Sequence, residues 1–325
     1  MIDVPHLMRR AGERVLGSLH LDLGRDYRDS IFLAGSGRSG TTWLSEIINY
    51  RNEYRYVFEP FYRDKVGLCK NFHRKQYLRP DDRRQEFLGP ARKIMTGRVR
   101  NRWTDHFNRK LIVRRRLIKD IRANLLLVWL NANFPEMPRI FMLRHPCAVT
   151  VSRLKMGWKD ILADTMEQRN LVEDHLAPFE AEIRNARTPF ERSIFLWCIE
   201  NYVPLRQLKT GAFHLVFYEH LCANPETELH RLFEYLGTNP DESIYRNIGR
   251  PSSLSRSESA VVLGERPVDS WVGSVDASQL ERAVEILSLF GLDGIYGEDP
   301  MPRTQGIPAF LQRPYEERDV SGDAG

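Results

Sequence analysis

Short apolar runs alternate with stretches of helical periodicity along this chain. Residues 31–34, 56–58, 140–143 and 213–217 are compact apolar runs of the length of buried strands. Apolar positions recur at helical spacing over 42–50, 123–132, 148–156, 194–208, 226–236 and 280–289. Strands alternating with helices predict an α/β fold, a central parallel sheet covered by helices on both faces. Ligands in such folds sit at the carboxyl ends of the strands, here where the loops after Ala34, Phe58 and Leu143 meet. Residues 69–110 and 159–187 are charged and irregular, and predict insertions around that edge.

Composition narrows the picture modestly. At 325 residues and 42% hydrophobic, the chain can bury a substantial core. It reads as one domain with its core at about 30–298, an N-terminal extension over 1–29 and a tail over 300–325. The net charge of +5 suits anionic ligands, and acidic residues interspersed with basic ones give no reason to expect nucleic acid. Cys69, Cys147, Cys198 and Cys222 lack C-x-x-C spacing, which predicts reduced thiols and a cytoplasmic setting. No apolar run approaches a membrane span. Residues 5–19 form a short basic amphipathic pattern, suited to docking on the domain or to peripheral membrane contact.

The chemistry begins at Gly35-Ser36-Gly37-Arg38-Ser39-Gly40-Thr41-Thr42-Trp43-Leu44. A strand running into a glycine-rich turn that opens a helix places unpaired backbone N–H groups and the positive end of the helix dipole together. The spacing from Gly35 to Gly40 is that of a nucleotide P-loop, yet Thr41 stands where that motif needs lysine. The cation lies three residues earlier, at Arg38. The loop should hold a phosphate-like group other than the β/γ-phosphates of Mg-ATP.

A second signal is Leu143-Arg144-His145-Pro146 followed by Ala148-Val149-Thr150-Val151-Ser152-Arg153. Arg144 ends a predicted strand, and Ser152 follows about two helical turns later. Both suit one anion site, with a structural ion pair the alternative for Arg144. Together the two segments resemble the sulfotransferase family that uses 3′-phosphoadenosine 5′-phosphosulfate (PAPS). Phe217-Tyr218-Glu219-His220-Leu221 with Asn224-Pro225-Glu226, the loop from Pro251 to Arg256, and Trp271 before a last helix agree with it. The resemblance implies the P-loop sulfotransferase fold and PAPS as sulfuryl donor, with no metal. It implies 5′-phosphate contacts from Ser39, Gly40, Thr41 and Thr42, and adenine stacking by Trp43, for which core packing is the alternative. It assigns the 3′-phosphate to Arg144, Ser152 and Arg256. Arg38 stands where cytosolic members carry lysine and tyrosylprotein-type members arginine, and would stabilise the leaving group.

Transfer to a hydroxyl also needs a base. Glu59, in Phe58-Glu59-Pro60, ends the second predicted strand 21 residues after Arg38. That offset resembles tyrosylprotein sulfotransferases, and the F-E-P context resembles carbohydrate sulfotransferases. An ion-pairing or capping glutamate is the alternative. Cytosolic members place a catalytic histidine in a K-T-H segment, whereas Ile118-Lys119-Asp120-Ile121 has isoleucine there. Lys119 is a candidate near the sulfuryl group or a surface lysine, and Asp120 is a rival base. The basic run Arg114-Arg115-Arg116 suits an anionic acceptor or a solvated face. The resulting expectation is sulfuryl transfer from PAPS to a carbohydrate or glycolipid hydroxyl. Tyrosine or a small alcohol is the alternative acceptor, and a P-loop kinase or a non-catalytic PAPS- or glycan-binding protein the alternative class.

Overall fold

The computed structural model describes residues 20–207, 212–245 and 268–304. Five parallel strands form the central sheet in the order β3-β5-β2-β6-β7. They are β2 (Ser30–Gly35), β3 (Tyr54–Phe58), β5 (Arg115–Asp120), β6 (Arg139–Leu143) and β7 (His214–Phe217). A separate two-stranded parallel ribbon pairs β1 (Leu21–Asp22) with β4 (Ile112–Val113). From β2 the chain runs outward to β3, returns through β5, then crosses to β6 on the opposite side. The direction therefore reverses beside β2, and the crevice at its carboxyl end is the binding edge of such a sheet.

Side-chain alternation along each strand feeds two cores. Phe32, Ala34, Val57, Ile118, Phe141 and Leu143 face one layer, which includes α3 (Leu127–Asn133), α5 (Pro189–Gln207) and α7 (Ala277–Leu289). Ile31, Leu33, Tyr56, Phe58, Leu117, Ile140 and Met142 face the other, which includes α1 (Thr41–Ile48) and α6 (Pro225–Tyr235). Burial on both faces explains why four of these strands read as nearly continuous apolar runs.

Two sequence expectations are corrected. The stretch 69–110 contains a regular helix, α2 (Gln85–Met95), which buries Phe87, Leu88, Ala91, Ile94 and Met95. Its charged outer face and Pro90 hide that periodicity in the sequence. β5 lies inside the sheet although only Leu117 and Ile118 are apolar, because Arg116 and Lys119 are buried in ion pairs and Asp120 is bound by backbone N–H groups, while Arg115 at its start is exposed. Arg116 is fully buried against Asp22, and Asp22 is shared with Arg55, which also binds Asp105 at 2.8 Å. The Arg114–Arg116 run is thus neither a uniformly solvated face nor near the loop. It starts β5, at the end of the sheet opposite Gly35. Cys69, Cys147 and Cys198 are buried free thiols, and Cys222 is half-buried. No described helix is long and apolar enough to cross a membrane. The amphipathic stretch 5–19 and most of the tail lie outside the described residues.

Candidate active site

The turn after β2 brings its groups together through two left-handed residues. Gly40, the N-cap of α1, has φ +94°, and a Cβ there would lie 2.6 Å from the Tyr218 ring. Arg38 has φ +79°, a conformation that costs a residue with a Cβ about 1–2 kcal/mol. Ser36 Oγ accepts from Asn201 Nδ2 at 3.1 Å, and Ser36 O accepts from the Ser39 N–H at 3.0 Å. Ser39 Oγ is buried with no hydrogen-bond partner among the described residues. Thr41 and Thr42 are buried in the first turn of α1. Gly37 leaves room for Trp158, whose ring would be 2.5 Å from a Cβ at that position.

Arg144 follows β6 directly, and α4 (Pro146–Lys155) then carries Ser152 back toward the loop. Both residues contact Arg38. Arg38 Nε donates to Ser152 Oγ at 2.9 Å, and Arg144 Nη1 donates to the Arg38 carbonyl at 3.1 Å. The start of α4 is fixed by Pro146 at its first position and by His145, whose Nδ1 accepts from the Cys147 N–H. His145 is buried, stacks on Trp271 at 4.2 Å and contacts the Gly297 carbonyl through Nε2. Burial pushes its pKa down to about 4, which suits a neutral structural ring.

Tyr218 was given no role from sequence. Its ring lies 4.0 Å from the Arg144 guanidinium carbon and meets Trp43 edge-to-face at 5.6 Å. Trp43 is only half-buried, so the Tyr218–Trp43 pair forms an aromatic wall beside Arg144. An aromatic residue directly after a strand, on the sheet edge that also bears glycine, was the signal available.

Glu59 ends β3, two strands from β2 and therefore about 10 Å across the sheet. It is 4% exposed and has φ +42°. Its N–H donates to the Lys119 carbonyl at 2.7 Å, and its carbonyl accepts from Trp103 Nε1 at 3.3 Å. Lys119 Nζ donates to Oε1 at 2.8 Å, and Arg122 Nη1 donates to Oε2. Burial pushes this carboxyl pKa up, but Lys119 and Arg122 outweigh burial and hold it below its ordinary value. Lys119 is 2% exposed, so the surface-lysine alternative is excluded.

Asp120 makes a poorer base than the sequence allows. It is fully buried, and its two oxygens accept from the N–H groups of Phe61 and Arg122, at 2.8 and 2.7 Å. Burial raises its pKa to about 6. These bonds make it a brace between the turn after Glu59 and the end of β5. Arg256 lies outside the described residues. Among the described residues no cluster of His, Cys, Asp or Glu suits a metal.

Residues 30–242 match a family model described as "Sulfotransferase family". Nodulation protein NoeE of Sinorhizobium fredii is 23% identical over 276 residues, which cover 79% of this chain and 63% of that protein. The chain thus spans less than two thirds of that relative's length. Among solved structures, a sulfotransferase domain from the curacin biosynthetic pathway aligns with TM-score 0.44 and 15% identity, covering 83% of this chain and 98% of that one. Mouse sulfotransferase SULT7A1 complexed with PAP aligns with TM-score 0.43 and 16% identity, covering 92% and 94%.

Proposed function

Starting from the fact that the chain belongs to the sulfotransferase family, we propose that it moves a sulfuryl group from PAPS to a hydroxyl of a carbohydrate or glycolipid. The carrying observation is that Arg38, Arg144 and Ser152 meet at the glycine-rich loop, on the sheet edge that also bears the ionised Glu59. Sulfotransferase membership argues against the P-loop kinase alternative, and the presence of both Glu59 and Arg38 supports catalysis over a non-catalytic PAPS- or glycan-binding role.

PAPS supplies an activated sulfuryl group whose departure leaves charge on the 5′-phosphate. The loop suits that group. Ser39 offers a buried hydroxyl without another partner among the described residues, and a Cβ at Gly35 would intrude to 2.9 Å from it. Ser39, Gly40, Thr41 and Thr42 hold the 5′-phosphate through N–H and hydroxyl groups. Arg38 stabilises charge developing on the leaving oxygen. Arg144 and Ser152 hold the 3′-phosphate, with Arg256 a third contact, and Trp43 with Tyr218 walls the adenine.

Glu59 takes the proton from the acceptor hydroxyl. Lys119 and Arg122 keep it ionised until the acceptor arrives. Were either cation to turn away from Glu59, less would offset its burial and the carboxylate's proton affinity would rise. The F-E-P context and the missing histidine support a carbohydrate acceptor. Calorimetry with adenosine 3′,5′-bisphosphate (PAP) tests the donor site: Arg144→Ala should weaken binding about 10- to 100-fold, as the loss of one charge-assisted contact requires. Wild-type protein with no measurable PAP affinity would overturn the donor assignment.

A further inference from the structure

One face of α5 presents Trp197, Glu200 and Asn201, at i, i+3 and i+4, to the carboxyl edge of the sheet. Trp197 Nε1 donates to the Arg144 carbonyl, and Asn201 Nδ2 to Ser36 Oγ, both at 3.1 Å. Glu200 between them is fully buried. Arg153 Nη2 donates to its Oε2 at 2.7 Å, and Lys75 Nζ lies 2.7 Å from its Oε1. Each cation then makes a second bond in a different direction. Arg153 Nε donates to the Gly37 carbonyl at 3.3 Å, inside the donor loop. Lys75 Nζ donates to the Ile121 carbonyl at 2.5 Å, between the two residues that grip Glu59.

We propose that Glu200 is a positioning residue that locks the donor loop to the Glu59-gripping end of β5, so that occupancy of the loop is felt at that end. The inference rests on the donor-site reading above. Pairing between β2 and β5 ends at Ala34 with Asp120, so Gly37 and Ile121 lie beyond the last paired residues. Past that point the Gly37–Arg153–Glu200–Lys75–Ile121 chain of polar contacts joins the two segments, beside apolar packing of the Ile121 side chain, whose Cδ1 would be 3.1 Å from a Cβ at Gly37. Burying one anion between two cations is an inefficient way to gain stability, since apolar packing commonly serves as well. It is an effective way to fix direction, because each cation's second bond depends on where the carboxylate holds it.

Hydrogen exchange with and without PAP tests this without knowing the acceptor. In the wild type, PAP should slow amide exchange in two segments, 35–45 and 118–125. Lys75→Met leaves the Glu200–Arg153 pair balanced and should fold. It should keep PAP affinity within about twofold and keep protection of 35–45, while PAP-induced protection of 118–125 disappears. Glu200→Gln should weaken PAP binding by about tenfold or more, and if that variant does not fold, Lys75→Met still decides. Wild-type protection confined to 35–45, or protection of 118–125 that survives Lys75→Met, would overturn the inference alone. Glu200→Gln binding PAP as tightly as wild type would do the same. A wild type that neither binds PAP nor shows protection anywhere would overturn the donor-site reading, and the inference with it.

Discussion

At the scale of single residues, Glu59 is under two opposed pressures. Burial raises its proton affinity, and the Lys119 and Arg122 cations lower it further than burial raises it. A base works in its ionised form, so kcat/KM falls as pH drops through the Glu59 pKa of the free enzyme. With that pKa below the ordinary glutamate value of 4.5, the profile should be flat down to about pH 5. Lys119→Met removes one cation and leaves the burial, so the acid limb should move to higher pH. An unmoved limb in that variant would sink the pairing argument. Arg38 gives a second test at this scale. Arg38→Gly and Arg38→Ala both remove the guanidinium and differ by one Cβ at φ +79°. The glycine variant should be the more stable by about 1 kcal/mol in denaturant titration, with transfer lost in both.

At the scale of elements, the loop and α1 depend on Gly40. Gly40→Ala combines φ +94° with a Cβ 2.6 Å from Tyr218, so PAP affinity and thermal midpoint should both fall. Calorimetry and a melting curve check this, and a variant matching wild type in both would show that the turn is not so constrained. At the far end of the sheet, Arg116→Met leaves Asp22 buried with one cation fewer. It should cost about 3–5 kcal/mol of stability without changing PAP affinity in the folded protein. These two elements also mark what the sequence made legible. β2, β6 and the loop are plain in it because buried parallel strands are apolar throughout and the glycine spacing is distinctive. β5 is hidden because its ends are charged, and two of those charges, Arg116 and Lys119, are buried by partners from distant segments, Asp22 and Glu59. α2 is hidden by a proline and a charged outer face. Arg38, Arg144 and Ser152 come to one site in the sequence through the family resemblance of their two motifs. Tyr218 and the Lys75–Glu200–Arg153 chain do not, since contacts between residues so far apart leave no local pattern.

At the scale of the whole molecule, five parallel strands deliver Glu59, Lys119, the donor loop, Arg144 and Tyr218 to one edge. On the proposed reading, the strand order puts the donor side at β2–β6–β7 and the base side at β3–β5. Residues that are remote in sequence thereby share one sheet edge, and on the proposed reading the acceptor hydroxyl would lie between the two sides. On this reading Glu59 is the base for sulfuryl transfer from a donor held elsewhere on that edge. The most direct test is transfer from labelled PAPS to a panel of carbohydrate acceptors, read by mass shift for wild type and Glu59→Gln, with PAP affinity measured on the same samples. The account predicts that Glu59→Gln keeps PAP affinity within about threefold and loses turnover by about 10²–10⁴-fold. Sulfation by Glu59→Gln at the wild-type rate would contradict it.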